Sequence, residues 1–356
     1  MATPRGEDEH RARDLLPGVP LVESPLFDAL SPSLDPETRA VAEQLRERGF
    51  AVVDFPDRDF DAVAQRQIEH LGPRFDWDEW RAHGHAAHAG LRLDDAWTVD
   101  EDARRIAANK GMIDLLSRLY GRPAFPFQTL TFPVGTQQHL HTDAVYFHSV
   151  PERFMCGVWV ALEDIHEDAG PLEYCPGSHR FPVYTNEHLG RCAAGEGEVI
   201  SQSDYEPLWR ALIDAHGLHT ERFMARKGQA LIWTANLLHG GAAQRDPART
   251  RWSQVTHYFF EGCVYYYPMR SDPMFGSIEF LHPVDIRTGE PVPAAYAGRP
   301  LAQDFVRQVT AQPPELPTGF DAALYLEANP DVAEARVDPA QHWLTHGKRE
   351  GRKLRP

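Results

Sequence analysis

Residues 136–147 read Thr-Gln-Gln-His-Leu-His-Thr-Asp-Ala-Val-Tyr-Phe. Segments at 127–132 and 155–162 flank them and predict β-strands, since their residues alternate or are continuously apolar. Side chains alternate faces along a strand, so three of them can point the same way: His139, His141 and Asp143. Two imidazoles and a carboxylate on one face suit iron, zinc or manganese. Solvated surface residues are the alternative that this short pattern leaves open.

A third metal ligand is expected far downstream, between two further predicted strands. Residues 229–233 form one strand candidate and residues 253–260 another. Between them lie His239 and a group of arginines that ends at Arg251. This order is the layout of a 2-His-1-carboxylate facial triad, which leaves metal positions open. Two such positions can chelate a 2-oxo acid and another can take O2, while an arginine holds the far carboxylate of the acid through a bidentate fork.

Further motifs surround these ligands. Gln138 stands three residues before the second histidine of the first stretch. Residues 159–164, Trp-Val-Ala-Leu-Glu-Asp, are followed at 170–179 by Gly-Pro-Leu-Glu-Tyr-Cys-Pro-Gly-Ser-His. With these motifs the chain resembles, over residues 38–270, the phytanoyl-CoA dioxygenase family of Fe(II)- and 2-oxoglutarate-dependent oxygenases. Ala169 departs from the family pattern, which usually has Asn there.

The resemblance implies a fold, cofactors and a class of reaction. The implied fold is mostly β with flanking helices, and its core is a double-stranded β-helix (jelly-roll, cupin-like). The implied metal is Fe(II), with 2-oxoglutarate as co-substrate and O2 as oxidant. Related halogenases carry a small residue where the hydroxylases keep the carboxylate. Because Asp143 is present, hydroxylation or a related oxidation is implied.

The resemblance also assigns the metal ligands. His141, Asp143 and His239 are expected to bind iron. His139 is the rival for His141, because alternation places both on one face. The position relative to Gln138 favours His141, so His139 is expected to support the ligands or to pack.

A second set of residues is expected to bind the co-substrate. Arg251 is the expected anchor for 2-oxoglutarate, and Ser253 shares its face by strand parity. Arg249 has the same parity and is the alternative anchor. Gln138 and Trp159 are expected to line the cofactor pocket, although Trp159 is equally plausible as a core residue.

Composition excludes several classes of protein. The chain has 356 residues, 42% of them hydrophobic, which is enough for a sizeable core. A net charge of -16 argues against a nucleic-acid partner. No apolar run is long enough for a membrane span, and the charged start lacks the apolar region of a secretory signal. The four cysteines form no zinc-binding spacing, so a reducing cytoplasm is the expected location.

The chain is expected to divide into four parts. Residues 1–36 are polar and interrupted by prolines, which predicts a flexible N-terminal segment. The dioxygenase domain is expected at 37–312, followed by a proline-rich linker at 313–318. Residues 319–356 are expected to form a small helical module, which resembles one found beside bacterial glycosyltransferase domains. This module is a possible contact for a protein or a surface.

The resemblance implies a dioxygenase that hydroxylates a small-molecule, lipid or glycan-related substrate and releases succinate and CO2. Two other hypotheses remain open. In the first, the β-helix is catalytically silent and serves as a scaffold or a ligand-binding protein. In the second, zinc occupies the same ligands and the chain is a hydrolase. Formation of succinate that requires added ferrous iron separates the three.

Overall fold

Antiparallel β-strands form the centre of the fold. The computed structural model describes residues 15–83, 91–192, 200–310, 316–335, 337–348 and 350–356. The strands are β1 (Phe50–Asp54), β2 (Leu93–Asp94), β3 (Ala124–Phe132), β4 (His148–Val150), β5 (Met155–Ala161), β6 (Leu172–Tyr174), β7 (Glu221–Phe223), β8 (Gln229–Thr234), β9 (His239–Gly241), β10 (Ser253–Phe260), β11 (Val264–Tyr266), β12 (Val284–Asp285), β13 (Glu290–Pro291), β14 (Ala295–Tyr296) and β15 (Arg299–Pro300). The four strands predicted from the sequence correspond to β3, β5, β8 and β10, and β5 ends one residue before the predicted bound.

Two sheets pack against each other. The larger has the strand order β1-β8-β5-β10-β3-β2 and the smaller has the order β7-β6-β9. A buried apolar cluster joins them, with Trp159 and Leu231 from the larger sheet and Leu172 and Phe223 from the smaller. The predicted mostly β fold with a double-stranded β-helix core is confirmed.

Helices cover the other face of the larger sheet. Among the described residues the α-helices are α1 (Phe27–Leu30), α2 (Pro36–Arg48), α3 (Phe60–Leu71), α4 (Trp77–His83), α5 (Glu101–Ala107), α6 (Lys110–Tyr120), α7 (Gln202–Ala215), α8 (Gln303–Val309), α9 (Ala322–Ala328), α10 (Pro330–Glu334) and α11 (Pro339–His342). Leu45 of α2, Val63 of α3 and Leu116 of α6 are buried in one cluster with Val158 and Ile232 of the sheet. No helix of the part that the structure describes is long and apolar enough to cross a membrane.

Local capping explains where α2 begins and ends. The Asp35 side chain accepts a hydrogen bond from Thr38 N, and Pro36 occupies the first helical position. Gly49 ends the helix at φ 86°, in the left-handed region that favours glycine. The chain then enters β1 directly, so this helix lies against the edge of the sheet.

Residues 15–36 differ from the flexible segment that was predicted for 1–36. Four apolar side chains of this region are buried in the core: Leu21, Val22, Phe27 and Leu30. Arg46 Nη1 also donates a hydrogen bond to Ser24 O at 2.8 Å. The many prolines and polar residues of this segment predict flexibility, and its local sequence does not show that these four side chains pack against α2. Residues 1–14 lie outside the described residues.

The predicted C-terminal module contains α9, α10 and α11. Tyr325, Val332 and His342 are buried, and Tyr325 Oη lies 2.7 Å from His342 Nδ1. The Asp338 side chain accepts a hydrogen bond from Gln341 N and so caps α11. Of the predicted linker, residues 313–315 lie outside the described residues. The domain boundaries themselves stay predictions.

Candidate metal centre and its cavity

The backbone brings two distant histidines side by side. His141 N donates to His239 O and His239 N donates to His141 O, both at 2.9 Å. Residues 136–140, just before this bridge, do not form a strand, so the predicted alternation of His139, His141 and Asp143 along one strand is wrong. These residues lie directly against β9, where a Cβ on Gly240 would sit 2.5 Å from Gln138 O. The side chains of His141 and His239 therefore converge because residues 136–141 lie close to β9, and alternation along a single strand is not the cause.

Three side chains of this region offer ligand atoms to one point. His141, Asp143 and His239 are buried, and their ligand atoms lie within 4.8 Å of one another. Each imidazole donates its Nδ1 hydrogen to a backbone carbonyl at 3.0 Å, from His141 to His139 O and from His239 to Leu237 O. These bonds leave the Nε2 lone pairs free to bind a metal. Burial, together with nearby His239, lowers the pKa of His141 to about 4, which favours the neutral form that a metal needs.

The two oxygens of Asp143 have different surroundings. Oδ1 lies 3.9 Å from His141 Nε2 and 3.7 Å from His239 Nε2. Oδ2 accepts a hydrogen bond of 2.6 Å from Trp233 Nε1. Burial alone would raise the pKa of Asp143, but the neighbouring imidazoles and the Trp233 N–H hold that pKa below its ordinary value. The carboxylate is therefore ionised and has one oxygen directed at the two histidines.

His139 lies away from this point. Its side chain is 70% exposed, and its Nδ1 donates to Glu206 Oε2 at 2.8 Å. Gln138 is nearby and donates from Nε2 to Gln202 Oε1 at 2.9 Å. Glu206 and Gln202 both belong to α7, so this helix holds the outer side of the segment that carries His141.

Arg251 lies at another part of the same cavity. It is 2% exposed, and its Nη1 donates to Ser253 Oγ at 3.3 Å. Its guanidinium carbon is 5.6 Å from the centre of the Trp159 ring. Burial lowers the pKa of Arg251 to about 10, while the charge of Glu163 acts in the opposite direction. Arg249 instead faces solvent and pairs with Asp246 at 3.1 Å.

Arg251 has unused hydrogen-bonding capacity. Among the residues that the structure describes, its buried Nε has no hydrogen-bond partner, and the same holds for Trp159 Nε1. Within the part of the chain that the structure describes, no carboxylate lies within 4.0 Å of the Arg251 nitrogens. Glu163, whose charge acts on Arg251, accepts hydrogen bonds from Trp252 N and Thr250 Oγ1 instead. A buried cation without an anion is unfavourable, so this arrangement calls for an anionic ligand.

One cavity of about 310 Å³ connects the two groups. Its described lining consists of Arg92, Asp94, Gln128, Leu130, Phe132, Thr136, Gln138, His141, Asp143, Tyr146, Phe147, Trp159, Leu172, Trp233, His239, Gly240, Arg251, Val255 and His257. The lining contains every site residue expected from the sequence except Ser253, which is linked to the cavity by its hydrogen bond with Arg251. Trp159 is both fully buried and part of this lining, so the two sequence-based alternatives for it are compatible.

Two residues of the site were not predicted. Trp233 contacts Asp143, and His257 Nε2 lies 3.6 Å from Asp143 Oδ2. His257 Nδ1 donates to Gln128 Oε1 at 2.8 Å. The same strand parity that links Arg251 with Ser253 places position 257 on the cavity side, so this signal was available. The role of Trp233 depends on a contact across the sheet that no sequence pattern announces.

Comparison with known proteins supports this arrangement at the level of family and fold. The family described as phytanoyl-CoA dioxygenase matches residues 26–251. The structure of the α-ketoglutarate-dependent carbocyclase SnoK from nogalamycin biosynthesis has 15% identity and a TM-score of 0.50, with 74% of this chain and 95% of that chain covered. At this identity the likeness concerns the fold alone.

Two other solved structures are similar at lower TM-scores. The epimerase SnoN from nogalamycin biosynthesis has 19% identity and a TM-score of 0.48, with 76% and 95% of the two chains covered. EctD from S. alaskensis, solved with 2-oxoglutarate and 5-hydroxyectoine, has 18% identity and a TM-score of 0.46, with 76% and 86% covered. No curated protein matches the chain. The family match spans well over half of the chain, and the chain therefore belongs to the phytanoyl-CoA dioxygenase family.

Proposed function

We propose that this protein is an Fe(II)- and 2-oxoglutarate-dependent dioxygenase that hydroxylates a small-molecule, lipid or glycan-related substrate. The observation that carries the proposal is one cavity with two complementary ends. At one end three buried ligand atoms converge, and at the other a buried arginine has no carboxylate counterion among the described residues. Membership of the phytanoyl-CoA dioxygenase family also supports a dioxygenase.

The residues present fit iron. His141, Asp143 and His239 supply two neutral imidazoles and one carboxylate, the donor set of non-haem Fe(II) oxygenases. When bound, Fe(II) supplies activation of O2 coupled to conversion of 2-oxoglutarate into succinate and CO2. The chain holds the imidazoles through their Nδ1 hydrogens and keeps the carboxylate ionised, so the ligands are oriented before the metal arrives.

The residues present also fit 2-oxoglutarate. Arg251 offers its buried guanidinium to the distal carboxylate. The Ser253 hydroxyl accepts a hydrogen bond from Arg251 Nη1 and so lies beside the same position. The Nε of Arg251 and the Nε1 of Trp159 donate to no described residue and can donate to such an anion. Phe132 and Trp159 flank the guanidinium and exclude water, which strengthens a charge pair formed there.

The substrate side of the cavity carries mixed polarity. Phe147 and Leu130 provide apolar walls, while Gln128 and Gln138 provide amides that can orient a polar group. Retention of Asp143 supports hydroxylation, since it occupies the position that halogenases of related families leave to a halide. The C-terminal module resembles one found beside bacterial glycosyltransferase domains, and this likeness supports the glycan-related part of the proposal.

The decisive experiment measures succinate. The protein is incubated with 2-oxoglutarate and O2, with and without added Fe(II), and with Zn(II) in place of iron. Succinate that appears only with Fe(II) supports the proposal. Binding of 2-oxoglutarate without succinate under any condition favours a silent ligand-binding protein, and zinc-dependent hydrolysis favours the hydrolase. Incubation with cell extract then identifies the metabolite that gains one oxygen.

A further inference from the structure

Asp143 is held in a single orientation by a tryptophan of the larger sheet. Trp233 Nε1 donates to Asp143 Oδ2 at 2.6 Å, and the acceptor is an ionised carboxylate. Charge-assisted bonds of this kind are roughly twice as strong as neutral ones. Oδ1, the other oxygen, faces the Nε2 atoms of His141 and His239. The hydrogen bond thus distinguishes the two oxygens before any metal binds.

A missing side chain makes room for this tryptophan. Trp233 of β8 lies opposite Gly157 of β5 in the sheet register, and the indole lies across the glycine. A Cβ at position 157 would overlap the indole ring and lie 2.8 Å from Trp233 Nε1. Any other residue at position 157 would therefore push the indole away from Asp143. The indole also packs against the His239 ring, with centroids 4.6 Å apart, so Gly157 and His239 together fix its position.

We infer that Trp233 is a positioning residue that makes Asp143 a one-oxygen metal ligand, and that Gly157 provides the space for it. The inference rests on the proposed function, because it takes the three residues as ligands of a metal. A carboxylate can bind a metal through one oxygen or two. The second oxygen would occupy a position that the co-substrate or O2 needs. A hydrogen bond that engages Oδ2 would disfavour binding through both oxygens and would leave that position to the co-substrate or O2.

His257 is the other group near Oδ2. Its Nε2 lies 3.6 Å from that oxygen, which is outside the range of a hydrogen bond. Its Nδ1 is already engaged with Gln128. Within the described part of the chain, Trp233 is therefore the group that holds Oδ2.

The test compares two buried tryptophans with Co(II) as the probe. Trp233→Phe keeps a ring and removes the N–H, and Trp209→Phe is the matched control, since Trp209 is buried in α7 and stacks on Tyr205 instead. We expect Trp233→Phe to weaken Co(II) affinity by about 10- to 100-fold, as loss of partners around metal ligands typically does. We also expect its visible Co(II) bands to change with the coordination number. Trp209→Phe should change neither, although both variants lose thermal stability.

A second variant covers the case in which Trp233→Phe does not fold. Gly157→Ala keeps the indole but displaces it, so it should weaken Co(II) binding and alter the bands in the same direction. Wild-type affinity and bands in a folded Trp233→Phe or Gly157→Ala protein would overturn the inference. If the wild-type protein binds no Co(II), the inference falls together with the metal site. If it binds Co(II) but forms no succinate, the proposed function fails, while loss of affinity in Trp233→Phe still supports the positioning role.

Discussion

The two ends of the cavity differ in how far the protein satisfies its own polar groups. At the metal end, the Nδ1 atoms of both histidines and Oδ2 of the aspartate already have hydrogen-bond partners. At the other end, the Nε of Arg251 has none, and the guanidinium lacks a carboxylate among the described residues. The metal end is thus organised in advance, whereas the arginine end is completed only by a ligand. This difference predicts that the two ends respond differently to substitution.

The largest effect is expected at the metal end. His141→Ala, Asp143→Ala and His239→Ala should each abolish iron-dependent formation of succinate, because each removes one of the three proposed ligands. The fold should survive, since the site is a small part of a large core. Succinate assays and circular dichroism of each variant check this. His139→Ala is the matched control and should keep activity, because its side chain is exposed. If His139→Ala loses iron and His141→Ala does not, the ligand assignment is wrong.

The next largest effect is expected at the arginine end. If Arg251 is the proposed anchor, Arg251→Ala leaves the distal carboxylate of 2-oxoglutarate without its partner in a buried pocket. Such a loss typically costs about 2–5 kcal/mol, or roughly thirty- to several-thousand-fold in affinity. Iron affinity should change little, because Arg251 is not a ligand. Titration of 2-oxoglutarate into the anaerobic Fe(II) protein, followed by the visible band of the chelate, measures the effect.

Two further arginine variants sharpen this result. Arg251→Lys keeps a charge but loses the planar fork, so its affinity should lie between wild type and Arg251→Ala. Arg249→Ala should bind 2-oxoglutarate normally, because Arg249 is exposed and paired with Asp246. A titration that is unchanged by Arg251→Ala and weakened by Arg249→Ala would transfer the anchor to Arg249. If neither variant matters, the 2-oxo acid assignment is wrong.

Much of the fold was predictable from the sequence because its central strands are apolar and periodic. The strands that contain residues 155–161 and 253–260 follow directly from that pattern. The alternation pattern does not predict the residues before His141, because their backbone forms hydrogen bonds with β9, for example from Gly241 N to Gln138 O. The pattern also does not predict the contact between Trp233 and Asp143, because the indole occupies the space that Gly157 leaves open. Long-range packing decides these details, and local periodicity does not contain it.

A smaller effect is expected from His179, a buried histidine outside the cavity whose neutral form contributes to stability. His179 donates from Nε2 to Arg46 O, and its buried Nδ1 has no hydrogen-bond partner in the described part of the chain. Burial lowers its pKa from 6.5 to about 4. The unfolded chain therefore binds more protons between these values, so the stability from neutral His179 is complete above pH 6.5 and is lost as the pH falls towards 4.

Replacing His179 tests this pH dependence. His179→Gln should reduce the slope of unfolding free energy against pH by about 1 kcal/mol per pH unit in that window. Urea denaturation of the metal-free protein at pH 7 and pH 5 measures the slope. His219→Gln, at a side chain that is 80% exposed, is the control and should leave the slope unchanged. Equal slopes in wild type and His179→Gln would show that His179 does not titrate as its burial implies.

The smallest effect is expected from removing the C-terminal module. A chain that ends at Pro317 should keep its affinity for iron and for 2-oxoglutarate at both ends of the cavity. The described contacts of the module are largely its own: Tyr325 with His342, Asn329 Nδ2 with Lys353 O, and Arg352 with Asp331. A unit that buries its own polar groups gives up little when it is separated. Calorimetric titration of Co(II) and 2-oxoglutarate into both chain lengths tests this. If the shortened chain is insoluble or binds no metal, residues 319–356 stabilise the dioxygenase core and the predicted boundary at 313–318 is wrong.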